Sequence, residues 1–297
     1  MKMHSVLVLT TYCDELQLED QKSMLDKQTN VILDHIIIGG LSKVQSQLEL
    51  HKIAVDNSLE YDYILKLDAD MVPLHNDSIE TLCNFASARE LQRLTTPVLD
   101  FFIGESLMGV HLIRASSVPK ESCITNSNTD GWIGNIEGIS ISKTSRIFFS
   151  HGYNPSISQS LRFGLHRGLK AKNGGSVHGH WQTLYKLFQN RVINQSSPDL
   201  SIAVIGSLKG LEILTQENKY WDLLDHDGDE FISLYEYAES ELKKDFPSLK
   251  SFDSKTIWEI HFSIFNSRSA IIGLILNLIY NKVYDNISFY INGRNLK

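Results

Sequence analysis

Residues 61–73, with the sequence YDYILKLDADMVP, decide the fold of this chain. Residues 63–67 favour a buried strand, because tyrosine and large aliphatic side chains pack well on a pleated sheet. Pro73 ends the extended segment, since proline has no N–H to donate to a sheet ladder. Two carboxylates, Asp68 and Asp70, therefore follow directly after the predicted strand.

These two carboxylates indicate a cation site. In an open α/β sheet, ligands bind just beyond the carboxyl ends of the strands, where Asp68 and Asp70 are expected. Two carboxylates one residue apart repel each other unless a cation joins them, and Mg²⁺ or Mn²⁺ prefers carboxylates combined with phosphate oxygens of a ligand. An acidic turn at a strand end is the simpler alternative. The apolar strand before the pair and the Met-Val-Pro sequence after it favour the metal site.

Length, charge and composition limit the class of protein. The 297 residues suffice for one large α/β domain, alone or with a small annex. The formal net charge of −7 argues against nucleic acid as the main partner. Three cysteines without ligand spacing indicate a reducing compartment. No run reaches the ~18 apolar residues of a membrane-spanning helix. We therefore expect a cytoplasmic protein, with peripheral association at the inner face of the membrane as an option because residues 270–279 are apolar.

The first seventy residues alternate between two kinds of pattern. Residues 5–10 and 31–38 are apolar runs that predict strands, and residues 17–28 have helical periodicity. Ser42 is expected to cap a second helix that runs to about residue 59. Together with the strand at 63–67, this order predicts a doubly wound, mostly parallel sheet flanked by helices. Further helices are predicted over residues 78–94, 156–172, 181–188 and 202–214, and further strands over 109–114 and 147–151.

Asp68-Ala69-Asp70 after an apolar strand resembles the DxD motif of GT-A-fold glycosyltransferases, in particular the family-2-like bacterial group. The resemblance implies an α/β, Rossmann-like GT-A domain over residues 1–214, followed by a small helical annex over residues 215–297. It also implies a nucleotide-sugar donor, here a UDP-sugar, bound with Mn²⁺ or Mg²⁺. A hydroxyl of a saccharide or lipid-linked acceptor would receive the sugar, as in the biosynthesis of surface glycans or lipopolysaccharide.

The resemblance also suggests how the donor binds. Asp68 would contact the ribose or sugar, and Asp70 would bind the metal on the diphosphate. Two loops stand where family members hold the nucleotide, although a strand end needs small or polar residues in any fold. A basic helix would neutralise the departing diphosphate, although a solvated helix face has the same composition. The donor-binding candidates in these loops and this helix are Thr10, Thr11, Tyr12 and Asp14 after the first strand, Gly39 and Gly40 after the second, and Arg162 and Arg167 on the helix.

A third metal ligand and a catalytic base complete the implied site. Family members place a metal-binding histidine at the end of a late strand, which matches His151, and His178 or His180 in a glycine-rich segment are the alternatives. An inverting transferase needs a carboxylate that takes the proton of the acceptor hydroxyl. Asp130, twenty-one residues before His151, matches the family in order and spacing. Glu137 and Glu105 are the alternative bases, and an Asx turn is the alternative role of Asp130.

Residues 225–236 resemble an EF-hand calcium loop. The sixth position of such a loop is normally glycine, and here it is Glu230. A residue other than glycine at positive φ costs about 1–2 kcal/mol, so the site is expected to be weak or vestigial. An acidic turn between two helices is the alternative. The oxygen ligands of Ca²⁺ would come from Asp225, Asp227, Asp229, Phe231 (through its carbonyl), Ser233 and Glu236.

Two other functions compete with the transferase. One is a non-catalytic calcium-binding interaction protein that uses residues 225–236. The other is a sugar-phosphate nucleotidyltransferase, which would need a glycine-rich loop after the first strand. Residues 10–15 contain no glycine, so the sequence argues against this second alternative.

Overall fold

The computed structural model of the chain describes residues 3–124, 131–141, 146–173, 177–194 and 196–212, together with Ser233 and Glu236. The predicted base Asp130, the annex and the apolar run at 270–279 lie outside these residues. The predicted calcium-binding segment, residues 225–236, also lies outside them, apart from Ser233 and Glu236, which are both helical and exposed. No helix in the described ranges is long and apolar enough to cross a membrane.

The described part of the chain is an α/β fold of eight strands and seven α-helices. In chain order these are β1 (His4–Tyr12), α1 (Leu18–Leu25), β2 (Val31–Gly39), α2 (Lys43–Asp56), β3 (Tyr63–Asp68), β4 (Met71–Pro73), α3 (Ser78–Ala88), β5 (Arg93–Asp100), β6 (Ser106–Arg114), α4 (Gly131–Gly134), β7 (Ile139–Ser140), β8 (Phe149–His151), α5 (Ile157–Asn173), α6 (Val177–Ile193) and α7 (Pro198–Glu212). A 3₁₀ turn over Ala115–Ser117 follows β6.

The strands form one sheet in the order β2-β1-β3-β6-β5-β8-β4, and β7 pairs with β5. β1 runs parallel to β2 and β3, which confirms the predicted strand–helix–strand–helix–strand beginning. Beyond β3 the sheet is mixed, because β6 is antiparallel to β3 and β5, and β4 is antiparallel to β8. The predicted α/β class is confirmed, whereas the sheet is mixed and not mostly parallel. β1 is parallel to β2 and β3, and β5 is parallel to β7 and β8, while the other strand pairs are antiparallel.

β3 lies in the middle of the fold, and its two faces have different environments. Tyr63, Leu65 and Leu67 belong to a core cluster shared with α3. Ile64 points to the other face, into a cluster with Trp132 of α4. Because side chains alternate along a strand, Lys66 and Asp68 share the face of Ile64. The strand thus carries its two charged side chains on one side of the sheet.

The first residues of β5 had been predicted to form the end of a helix. The helix predicted over residues 78–94 ends at Ala88, because Glu90 adopts φ 52° and residues from Arg93 onward pair with β6. Pro97 lies within β5. The strand accommodates Pro97 at a register shift between Thr96 and Pro97, where proline does not interrupt a regular ladder.

Helices α5 and α7 cross with their backbones in contact. A Cβ atom on Gly164 would lie 1.8 Å from the carbonyl oxygen of Ala203, and one on Gly210 would lie 2.5 Å from that of Leu165. Gly168 of α5 and Gly206 of α7 are equally close to the facing helix. Each glycine pair is four residues apart, so it lies on one face of its helix. Glycine is required here because the partner backbone occupies the space of a side chain.

Replacing Gly164 by alanine should destabilise the protein by about 2 kcal/mol or more, because the new methyl group cannot fit without moving α5 away from α7. Chemical denaturation would measure the free energy of unfolding. Gly134→Ala is the matched control, since its Cβ would meet no heavy atom within 4 Å. Equal stabilities of the two variants would contradict the close helix crossing.

Candidate functional site

A cavity of about 410 Å³ lies beyond the carboxyl ends of β1 and β3. Asp68 and Asp70 both line it. Its walls come from the loop after β1, the beginning of α2 and one face of α5, and its floor includes Lys66 and His111 from the sheet. Small-molecule sites in proteins typically enclose ~300–1,000 Å³, so this volume suits a ligand of that class.

A buried glutamine of α1 holds the turn that carries the two aspartates. Gln21 is fully buried, and its Nε2 donates to the carbonyl oxygens of Asp68 (2.9 Å) and Met71 (2.7 Å). Its Oε1 accepts a hydrogen bond from the Thr10 hydroxyl at 2.9 Å. Sequence analysis missed this residue, although a glutamine between Leu18 and Leu25 on the buried face of α1 was a visible signal.

The same turn is bonded from two neighbouring strands. The amide of Ala69 donates to Thr11 of β1 at 3.1 Å, and the amide of Gly152, just after β8, donates to Asp70 at 3.0 Å. Two further buried glutamines join α1 to α5, since Gln159 Nε2 donates to Gln17 Oε1 at 2.8 Å. Backbone and glutamine hydrogen bonds therefore hold the turn from several neighbouring elements.

Asp68 is a stabilised carboxylate. Its Oδ1 accepts from the Thr11 hydroxyl at 3.1 Å and lies 3.5 Å from Nζ of Lys66. Burial alone would raise the pKa of Asp68, but Lys66, followed by Lys43 and His151, holds that pKa well below its usual value. Asp68 therefore carries its negative charge throughout the physiological pH range.

His151 lies between two carboxylates because β8 pairs with both β4 and β5. The register places His151 opposite Met71 of β4 and beside Asp100 of β5. Its Nδ1 donates to Oδ2 of the fully buried Asp100 at 2.7 Å, and its Nε2 lies 3.3 Å from Oδ2 of Asp70. Burial alone would lower the pKa of His151, but Asp70 and Asp100 outweigh it and raise the pKa to about 9.

Asp70 is the least satisfied of the three acidic groups. Its Oδ1 is buried and accepts no hydrogen bond from any residue that the structure describes. Burial raises the pKa of Asp70, with Asp68 and Asp100 adding to the effect and His151 opposing it. A buried oxygen without a donor is costly unless a cation or another partner reaches it.

These groups fit a hard divalent cation, although they do not form a closed metal site. Among the described residues, no three His, Cys, Asp or Glu side chains are arranged as a ready-made metal centre. Asp70 nevertheless lines the cavity together with Asp68, and its buried Oδ1 has no hydrogen-bond partner among the described residues. A histidine whose Nδ1 is held by a carboxylate, as His151 is by Asp100, is the usual form of a metal-binding imidazole. Asp70 and Asp68 would hold the cation, and His151 would join them by releasing the Nε2 proton that its raised pKa retains at neutral pH.

Glu15, in the loop after β1, is a further carboxylate on the cavity wall and was not predicted from the sequence. Burial and the neighbouring Asp70 raise the pKa of Glu15 to about 7, although the amide of Cys13 donates to its carboxylate. Glu15 could have been predicted from the sequence, because it follows the first strand in the same loop as the residues assigned to donor binding.

The α5 wall of the cavity is basic, as its sequence indicated. Arg162 and Arg167 both line the cavity, together with Lys170. Arg162 Nη1 donates to the carbonyl oxygen of Cys13 at 3.3 Å and lies 3.5 Å from Oδ1 of Asp14. Arg167 lies over the ring of Phe163, with 4.9 Å between its Cζ and the ring centroid. The guanidinium groups are thus held toward the acidic strand ends.

The structure separates the predicted donor residues. Thr11 and Tyr12 line the cavity, whereas Thr10 is fully buried and its hydroxyl contacts Gln21 and His35 behind the wall. Asp14 is exposed to solvent, and its backbone adopts φ 72°. Its Oδ1 lies 3.5 Å from Nη1 of Arg162. Gly39 packs on the ring of Tyr12, and Gly40 adopts φ 70°. Neither glycine lines the cavity, and the residues after them, Leu41, Ser42 and Lys43, do.

The alternative bases and metal ligands lie elsewhere. Glu105 is exposed and pairs with Lys186 at 2.6 Å, and Glu137 is exposed; neither lines the cavity. His178 and His180 were expected on a loop, but α6 begins at Val177, so both are helical. His180 does not line the cavity, and the side chain of His178 is outside the described part of the structure.

No protein-family model matches the chain, and a search of curated proteins finds no significant match.

Replacing Gln21 by leucine should lower the free energy of unfolding by about 2–4 kcal/mol, because the two turn carbonyls and the Thr10 hydroxyl lose a buried partner. Urea denaturation would measure the change. Gln92→Leu, at an exposed glutamine, is the control and should change stability by less than about 0.5 kcal/mol. A change in stability as small as that of the control would mean that the Gln21 side chain is not needed to hold the turn.

Acid should destabilise the protein through His166. Burial lowers the pKa of His166 well below its usual value, and Lys170, Arg167 and Lys43 add to the effect. Below pH 6.5 the unfolded chain takes up a proton that the folded chain excludes, so stability falls by up to about 1.4 kcal/mol per pH unit. The free energy of unfolding would be measured at pH 7.5, 6.5 and 5.5 for the wild type and for His166→Gln. The variant should lose less stability than the wild type as the pH falls. Equal losses in the two proteins would refute this prediction.

Proposed function

We propose that the chain is a metal-dependent glycosyltransferase of the GT-A type, which moves a sugar from a nucleotide-sugar donor to an acceptor hydroxyl. The observation that carries the proposal is the position of Asp68 and Asp70. They follow the central strand of an α/β sheet and line a cavity of about 410 Å³, and a basic helix forms the facing wall. Acidic residues for a cation and basic residues for phosphates thus share one cavity, as a nucleotide-sugar requires.

The residues of the cavity divide between the parts of the donor. Asp70, with Asp68 and His151, would hold Mn²⁺ or Mg²⁺, and a bound cation supplies charge neutralisation to the diphosphate leaving group. Arg167 and Lys170 face the same cavity and would contact phosphate oxygens. Thr11 and Tyr12, at the end of β1, would contact the nucleoside, for which a UDP-sugar is our leading candidate.

The proton of the acceptor hydroxyl must pass to a carboxylate. Asp130 keeps this role as a prediction from the sequence. Glu15 is now the alternative, because it lines the cavity whereas Glu105 and Glu137 do not. The acceptor itself is proposed to be a saccharide or a lipid-linked saccharide of a surface glycan.

A cytoplasmic location is part of the proposal. Cys13, Cys83 and Cys123 are all free thiols. Free thiols are usual in a reducing compartment. Association with the inner face of the membrane would bring the enzyme to a lipid-linked acceptor.

Donor hydrolysis tests the proposal. Purified protein should release sugar from at least one nucleotide-sugar of a panel in Mn²⁺, and chelation should abolish the release. Asp70→Asn should reduce the rate at least ~100-fold, because the amide cannot replace a carboxylate ligand.

Asp56→Asn, at an exposed residue at the end of α2, is the matched control and should retain full activity. If no nucleotide-sugar is turned over or bound in Mn²⁺, the transferase proposal is wrong.

A further inference from the structure

A second cavity, of about 230 Å³, lies where the hairpin of β5 and β6 meets α6. Most of its wall is apolar. Pro97 of β5 and Met108 of β6 are opposite each other in the strand register, and both line the cavity. Ile103 of the hairpin loop and Leu107 of β6 complete the apolar part of the wall. Binding sites for small molecules are mostly lined by such side chains, with a few polar groups that fix the orientation of the ligand.

The second cavity adjoins the first one. Leu107 and Met108, near the beginning of β6, line both cavities. In the hairpin loop before them, Phe102 lines the first cavity and the next residue, Ile103, lines the second. The two cavities therefore share a wall, and a ligand of sufficient length would extend across it from the acidic strand ends.

The loop that forms part of the second cavity is bonded to the predicted cation site. The amide of Ile103 donates to Oδ1 of Asp100 at 2.9 Å, and Oδ2 of the same carboxylate accepts from Nδ1 of His151 at 2.7 Å. On the other side of the loop, Nδ2 of Asn190 on α6 donates to two of its carbonyl oxygens, both at 2.9 Å. A single carboxylate thus joins the wall of the second cavity to His151.

The two cavities differ in their charge. Asp68, Asp70 and the basic residues of α5 line the first cavity, and such groups suit a cation and phosphates. Among the described residues, the polar lining of the second cavity consists of Ser106, Thr183 and Lys186. Lys186 is the charged member, and its Nζ lies 2.6 Å from Oε2 of Glu105. A phosphate would have to compete with this carboxylate, so the lining favours an apolar group of a ligand.

The size of the second cavity limits that group. An apolar cavity of ~150 Å³ is large enough to hold benzene. A volume of about 230 Å³ therefore accommodates one aromatic ring or a short stretch of alkyl chain. Ser106 is exposed at the edge of the cavity, where its hydroxyl suits a hydroxyl of an attached sugar.

We propose that the second cavity binds an apolar group, an aryl ring or an alkyl chain, that is attached to the acceptor saccharide, while the acceptor hydroxyl lies in the first cavity near Asp70. This inference rests on the proposed function and names the class of its acceptor, an aryl or alkyl glycoside. The alkyl case corresponds to the lipid part of a lipid-linked saccharide.

NMR titration of glycosides tests the proposal. UDP, GDP and dTDP are first compared in Mn²⁺ to find the nucleoside diphosphate that binds. Methyl, phenyl and hexyl glycosides of glucose, galactose and N-acetylglucosamine are then added to that complex, at concentrations where the hexyl glycosides are monomeric. For at least one sugar, the phenyl or the hexyl glycoside should bind at least about tenfold more tightly than the methyl glycoside, because it buries more apolar surface. The phenyl and hexyl arms distinguish an aryl acceptor from a lipid-like one.

Variants locate the binding of the apolar group. Met108→Lys and Ser106→Glu each place a charge in the second cavity and should remove the preference, whereas Met108→Leu should retain it. Both residues are exposed, so these changes leave the core intact. Ile32→Lys is the matched control, because it replaces an exposed apolar residue of β2 outside both cavities, and it should retain the preference.

The outcomes separate this inference from the proposed function. Nucleotide binding with equal affinities for methyl, phenyl and hexyl glycosides would overturn the inference alone, and this comparison uses the wild-type protein. Such a result would fit a second cavity that another part of the chain fills. A preference that survives both Met108→Lys and Ser106→Glu would also overturn it, because the apolar group would then bind elsewhere. Absence of any nucleotide binding would instead defeat the proposed function, and the acceptor site with it.

Discussion

The repulsion between Asp68 and Asp70 is the constraint on which the rest of the structure depends. Both carboxylates lie beside one cavity, with Asp100 buried behind His151. Partly withdrawn from water, such charges are stabilised by cations or hydrogen-bond donors around them. The protein supplies Lys66 to Asp68 and the His151 imidazole to Asp70, and it leaves one oxygen of Asp70 for another partner.

The residues around the turn explain how the two aspartates are held in place in the folded protein. Gln21 bonds the backbone on both sides of the aspartate pair, and its own carbonyl oxygen is bonded to Thr10. The amide of Ala69 also donates to the carbonyl oxygen of Thr11, and the amide of Gly152 donates to that of Asp70. Neutral hydrogen bonds to the backbone thus hold the carboxylates in place, so the side chains remain available for chemistry.

Local patterns predicted the beginning of the fold and the end of β3, because alternating apolar and helical periods are visible in a single segment. The other half of the site arises from pairings between distant segments. Nothing near Asp100 indicates that β5 and β8 bring it to His151, and the first residues of β5 were predicted to be the end of a helix. The role of Gln21 likewise depends on carbonyl groups 47 and 50 residues away.

The glycine contacts between α5 and α7 have a consequence for ligand selection. Helices that touch through their backbones cannot slide or roll past each other in small steps, so the wall that carries Arg162 and Arg167 is preorganised. A ligand that meets fixed guanidinium groups loses little conformational entropy, and it must match their spacing. Under the proposed function, a donor at this wall would be selected by its shape, because the helix would not adapt to it.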